Sequence, residues 1–311
     1  MQTPWGQIAV HDAHVHLFSH RFFETLRSQR AALVDDESVE SMVEGLGWEP
    51  PPGNASDLAS LWVKELDRQG VDRSTLIASV PGDELSAAAA VAAHPDRFWG
   101  YFLFDPTQPE AGDRAVRAFD EQGLRGLCLF PAMQRFALQD ERLTPVYEAA
   151  AARPGTVVFV HCGVLSVGVR KKLGLASKFD MSYANPLDLH RVALEYPTAN
   201  FVIPHFGAGF FREALMLADL CPNVYLDTSS SNSWTKYLCP PPSLEDVFRQ
   251  ALDVVGPDRL LFGSDSSFFP RGWNREVFDQ QVQALQNLGV STEAAAKIFG
   301  GNLQRLLAPA V

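Results

Sequence analysis

Short runs dominated by Val, Ile, Leu and Phe alternate along this chain with longer stretches rich in Ala, Leu and charged residues. The short runs predict strands at 8–13 (IAVHDA), 75–80 (TLIASV), 97–104 (RFWGYFLF), 124–130 (LRGLCLF), 156–161 (TVVFVH), 200–205 (NFVIPH), 223–228 (NVYLDT) and 259–264 (RLLFGS). Helical stretches fall between them, at 57–69, 84–93, 109–121, 142–152, 186–196, 210–220, 243–254 and 274–288. Capping residues support several starts: Ser56 or Asp57, Asn185 before Pro186, and Ser243 before Glu245. The strands are apolar at nearly every position instead of every second one, which is the pattern of a parallel sheet buried on both faces. Eight strand–helix units predict a single (β/α)8 barrel, a fold of about 250 residues. A doubly wound open sheet gives the same alternation and is the alternative. The last stretch, STEAAAKIFGGNLQRLL, reads as an extra C-terminal helix or helix pair covering one end. Three connections are too long to be simple turns: 17–56, 162–185 and 229–242, after strands 1, 5 and 7. These are insertions on the side where a barrel carries its active-site loops.

Polar residues cluster where those strands end. His14 and His16 close strand 1, His161 strand 5, His205 strand 6 and Asp265 strand 8. In a parallel barrel these ends converge on one mouth. The spacing of two residues puts the His14 and His16 rings on the same side of their strand. Imidazoles and a carboxylate gathered there suit zinc, or less often manganese, iron or cobalt. With eight histidines in the chain, His-x-His alone is a weak signal. One His pair, two single histidines and one aspartate, closing four different apolar strands, make the conjunction specific.

Composition narrows the class. The 311 residues are 46% hydrophobic and 20% charged, material for one globular domain spanning 1–311. A net charge of −11 disfavours nucleic acid and anionic lipid as partners. No apolar run approaches the roughly 18 residues of a membrane span, and the first residues lack signal-peptide character. The four cysteines form no CxxC pair, which fits a reduced, cytoplasmic protein.

The motifs DAHVH, VHCG, PHFG and FGSD, in that order, resemble the amidohydrolase superfamily. GLRGLCLFP followed by LTPVYEAA, and the ending KIFGGNLQRLL, are similar to its amidohydrolase 2 branch. That branch includes aminocarboxymuconate-semialdehyde decarboxylase, related aromatic-acid decarboxylases, hydratases and lactone hydrolases. The likeness runs from about Ile8 to Leu307. It implies His14, His16 and His161 as metal ligands, Asp265 as a further ligand or an adjacent base, and His205 as the group that activates water or polarises substrate. Strand 4 carries no Lys, Glu or Cys at 129–131, where binuclear relatives hold a lysine, so one divalent ion is expected, zinc first and manganese second. The implied activity is hydrolysis of a small organic acid, lactone, ester or amide; non-oxidative decarboxylation of an unsaturated or aromatic acid is the alternative. A homodimer and a carboxylate-bearing small-molecule substrate are further implications.

Several residues are open at this level. Asp12 shares the parity of His14 and is either its hydrogen-bond partner or an ordinary core carboxylate. Arg271, just after Asp265, is the candidate substrate-binding residue. Arg170, Lys171 and Lys172, with Lys178 nearby, are either a carboxylate anchor or a solvated face. Arg21, Arg27 and Arg30 follow strand 1 but match no motif of the branch. Trp234, Tyr237, Phe268 and Phe269 read as pocket lining or as lid packing.

Overall fold

The computed structural model describes every residue except 32, 35, 166, 230–233, 268–270 and 309–311. Eight strands run parallel: β1 (His11–Leu17), β2 (Arg73–Ala78), β3 (Phe98–Leu103), β4 (Gly126–Leu129), β5 (Val157–Val160), β6 (Asn200–Ile203), β7 (Val224–Asp227) and β8 (Leu260–Leu261). Each pairs with the next in sequence, as a barrel requires and an open doubly wound sheet does not. Residues just past β8 close the ring onto β1. The Ala13 amide donates to the Phe262 carbonyl at 2.8 Å, the His16 amide donates to the Ser266 carbonyl at 2.7 Å, and Val15 bridges Ser266.

The continuous apolar strands are explained by two cores. In β3 all six residues are buried. Trp99, Tyr101 and Leu103 point inward with Phe159, Val202 and Leu261, while Phe98 and Phe102 meet the surrounding helices. Leu303, Leu306 and Leu307 of the C-terminal helices pack with the inward-facing set.

Local differences from the sequence reading have local causes. The helix predicted from 57 spans Ala55–Gln69 and is capped by Asn54, whose side chain accepts from the Ser56 amide, and not by Ser56 or Asp57. Pro186 opens a 3₁₀ turn, Pro186–Leu189, before the helix His190–Glu195; Asn185 caps it as expected. After β1 the chain forms two helices, His20–Arg30 and Val39–Glu44. After β5 comes a short helix, Gly168–Lys172. Val169 and Leu173 from that connection join Phe22, Phe23, Leu26, Val39, Met42 and Val43 in a small separate core. Thus two long connections pack on each other beside the mouth. No helix among the described residues is long and apolar enough to cross a membrane.

Candidate metal centre

His14, His16, His161, His205 and Asp265 all line one cavity of about 430 Å³. The backbone reaches this arrangement through unusual turns. His205, Phe206, Gly207, Ala208 and Gly209 all have positive φ, and so does Asp265 at 53°. Such values are costly for residues with a side chain, of order 1–3 kcal/mol each, and they concentrate at functional sites. At Gly163 an added Cβ would lie 2.2 Å from the Gly207 carbonyl, so only glycine lets the chain after β5 cross this turn.

The donor atoms are set by their outer partners. His14 Nδ1 lies 2.6 Å from a carboxylate oxygen of Asp227, which can only accept, so Nδ1 carries the proton and Nε2 a lone pair. His16 Nδ1 lies 2.9 Å from Ser79 Oγ. That hydroxyl already donates to the Ile77 carbonyl, so it accepts from His16 and leaves Nε2 bare as well. His205 Nδ1 donates to the Ser229 carbonyl at 3.0 Å, with the same result. The Nε2 atoms of His14 and His16 are 3.2 Å apart, and Asp265 Oδ1 lies 3.6 and 3.3 Å from them.

Three acceptor atoms facing one another need a shared positive charge. Those separations match the edges, about 3.3–3.4 Å, of a tetrahedron of ligands around an ion at about 2.0–2.1 Å. Among the described residues, His14, His16 and Asp265 are the group whose ligand atoms fall within 4.8 Å of one another. His161 is buried in the same cavity but outside that group. Its ring stacks on Phe130 at 5.1 Å and meets His205 edge-on at 5.4 Å.

Burial favours the neutral imidazole that a ligand needs at His16, His161 and His205, whereas at His14 an ion would have to displace a proton from Nε2. Burial works against a charged His14, but the Asp227 carboxylate outweighs it and raises the imidazole above its usual range. Burial lowers His16 and His205, against the pull of Asp265. It takes His161 far down, with His205 and His14 adding to the effect. Burial would raise Asp265, yet the His16 contact and the facing histidines hold its carboxyl well below the ordinary range.

Asp12 is not the partner of the His14 ring. It accepts from the His14 and Ser264 amides at 2.9 and 3.0 Å and from Trp273 Nε1 at 2.6 Å, tying β1 to the segment after β8. The strand is bulged between Asp12 and Val15, so parity counted across it fails. Asp227 takes the role instead, and sequence offered the signal: it ends the apolar run of strand 7 as Asp265 ends strand 8. Ser79 and Ser229 carried no comparable mark. Gly263 makes room for Asp227, because a Cβ there would sit 2.4 Å from its Oδ1 and 3.0 Å from His14 Cβ. Gly263→Ala is therefore expected to lower unfolding stability by roughly 1–3 kcal/mol in a denaturant titration. Asp227→Asn should weaken metal binding by about 10–100-fold, measured by competition with a chromogenic chelator.

The cavity wall is apolar and aromatic, with Phe18, Phe22, Trp48 and Phe130. Trp234 is buried against Phe211 and Tyr237 is exposed, so neither lines it; Phe268 and Phe269 lie outside the described residues. Arg271 lines it and donates to the Asp265 carbonyl at 3.1 Å and to Ser267 Oγ at 2.9 Å. Arg170 and Lys172 also line it, whereas Lys171 and Lys178 are exposed elsewhere. Arg30 pairs with Glu37 at 2.7 Å, Arg21 reaches Glu24 and Arg27 the Glu37 carbonyl, all away from the cavity.

Residues 12–308 match the amidohydrolase family profile. The chain belongs to this family. Protein fluG of Emericella nidulans is 26% identical to this amidohydrolase over 216 residues, 65% of this chain and 23% of fluG, so the chain spans under a quarter of that relative. The 5-carboxyvanillate decarboxylase LigW of Sphingomonas paucimobilis superimposes with a TM-score of 0.64 at 18% identity, covering 98% of this chain and 100% of that one. A 5-carboxyvanillate decarboxylase of Novosphingobium aromaticivorans, solved with bound manganese and a substituted nitrobenzoic acid, gives 0.61 at 16%, covering 98% and 97%.

Proposed function

We propose that this amidohydrolase is a hydrolase of small organic acids, lactones, esters or amides that depends on one divalent ion held by His14, His16 and Asp265. His161 is the further nitrogen ligand from the same cavity. The observation that carries this reading is the convergence of two bare Nε2 atoms and an ionised carboxylate at 3.2–3.6 Å. A nitrogen-rich set of this kind suits zinc first and manganese second. When bound, the ion supplies Lewis acidity and a water that ionises near neutral pH.

The chain's own groups then handle protons and orientation. Asp265, ionised beside the ligands, accepts a proton from water. His205 is fixed by the Ser229 carbonyl so that its neutral form presents a lone pair at Nε2. It is therefore a proton acceptor; polarising a substrate oxygen would need the imidazolium that burial opposes. As water adds to a carbonyl and the C–O or C–N bond breaks, the captured proton returns to the departing oxygen or nitrogen. Arg271, bonded to the Asp265 carbonyl, is placed to hold a substrate carboxylate.

Decarboxylation is the second reading. The cavity carries cationic side chains on an aromatic wall, and two of the similar structures are decarboxylases acting in the same barrel. There the proton would go to carbon as the C–C bond to the carboxylate breaks. Metal-loaded protein assayed against lactones, esters, amides and aromatic acids separates the two. Release of acid without carbon dioxide supports hydrolysis, stoichiometric carbon dioxide supports the second reading, and turnover that survives chelation contradicts both.

A further inference from the structure

The connection after β5 brings a cation into the cavity, and among the described residues no acid pairs with it. Arg170 is half-buried, and its guanidinium donates to two neutral acceptors, Gln29 Oε1 at 2.5 Å and the Ala176 carbonyl at 3.0 Å. Two other enclosed arginines meet carboxylates, Arg30 with Glu37 and Arg114 with Glu84, both at 2.7 Å, while Arg73 and Arg259, which are held by backbone carbonyls, lie outside the cavity lining. What sets Arg170 apart is its place on the cavity wall, where a guanidinium with five N–H groups and two neutral partners keeps donors for a ligand. Burial also pushes the Arg170 pKa down, with no neighbouring charge to offset it.

Two features fix where this cation stands. Gln29 belongs to the helix His20–Arg30 after β1, so the bond to Arg170 crosses between the two long connections that pack together through Phe22, Leu26, Val169 and Leu173. Lys172, two residues on, places Nζ 4.9 Å from the centroid of Trp48, itself a cavity residue. The stacked pair Phe18 and Phe22, 4.0 Å apart, lies on the same wall. Arg271, by contrast, arrives from the connection after β8 and touches Asp265 itself.

We propose that Arg170, supported by Lys172, is an anion subsite distinct from Arg271, and that the substrate is two-ended: a reacting group at the His14–His16–Asp265 centre, an apolar body along the aromatic wall, and a second carboxylate on the β5 connection. This rests on the reading of the cavity given above but names the substrate class within it. Gln29 is a positioning residue that aims the guanidinium.

Calorimetric titration of metal-loaded protein with α,ω-diacids from glutarate to sebacate, against monoacids of the same chain length, tests the subsite without turnover. One or more diacids should bind at least about tenfold more tightly than the matched monoacid, the scale of a charge-assisted pair. Arg170→Gln should erase that advantage while leaving monoacid affinity and metal content unchanged. Lys172→Gln and Gln29→Leu should each reduce it a few-fold. Equal binding of diacids and monoacids, no binding of either, or an advantage that survives Arg170→Gln overturns the proposal. Arg170→Lys, which keeps the charge but not the fork, covers the case of a misfolded glutamine variant and should retain part of the preference. Because heat and not product is read, a failure of the catalytic reading, seen as chelation-insensitive turnover, is distinguishable from a failure of the subsite.

Discussion

Replacing Asp265 by asparagine should lower kcat by at least about 100-fold and release much of the metal, because two functions of one carboxylate are lost together. The amide cannot carry the negative charge that balances an ion beside His14 and His16, at 3.6 and 3.3 Å. It also cannot accept a proton from water, as a carboxylate beside the ion can. His205→Asn should cost a similar factor in kcat but much less metal, since His205 is outside the group of closest ligand atoms. Elemental analysis of both variants, alongside kcat on a verified substrate, reads the two effects separately. Near-normal turnover in His205→Asn would reduce His205 to a buried histidine that merely satisfies the Ser229 carbonyl.

His16→Ala should abolish most metal content and leave a folded barrel. The side chain is exposed by 19% and its one outer partner is Ser79, so its removal unties little of the core. It does take away a nitrogen donor 3.2 Å from its neighbour, and His14 and Asp265, with His161 the one further nitrogen, make an incomplete site for a borderline-soft ion. Unchanged far-ultraviolet circular dichroism with metal below one tenth of the wild-type stoichiometry is the expected result, the fraction being roughly what loss of a ligand implies. Full metal occupancy would move the ion elsewhere.

Legibility of the fold followed from physics that acts along the chain. Both faces of each strand are buried, so the apolar runs are unbroken, and polar residues stand out only where the strands end at the mouth. That contrast exposed His14, His16, His161, His205 and Asp265 together, and the structure lines one cavity with all of them. What escaped depends on pairing between distant segments. The bulge that turns Asp12 toward Trp273 is a property of how β1 meets β2 and the segment after β8, and nothing in HDAHVH marks it. Asp227 did carry a signal, yet a carboxylate in LDTSS also reads as the start of a turn. The cavity wall was out of reach for another reason. Phe18, Phe22 and Trp48 lie on a connection whose path is set by its packing on the β5 connection, a contact between segments more than a hundred residues apart.

The central claim is that two histidines of β1 and the aspartate after β8 share one ion. Anomalous X-ray diffraction from crystals of zinc-loaded protein, collected on both sides of the zinc absorption edge, tests it most directly. A single strong peak about 2.0–2.2 Å from His14 Nε2, His16 Nε2 and an Asp265 carboxylate oxygen is the predicted result. A fully loaded protein whose anomalous peak lies away from these three atoms would contradict it.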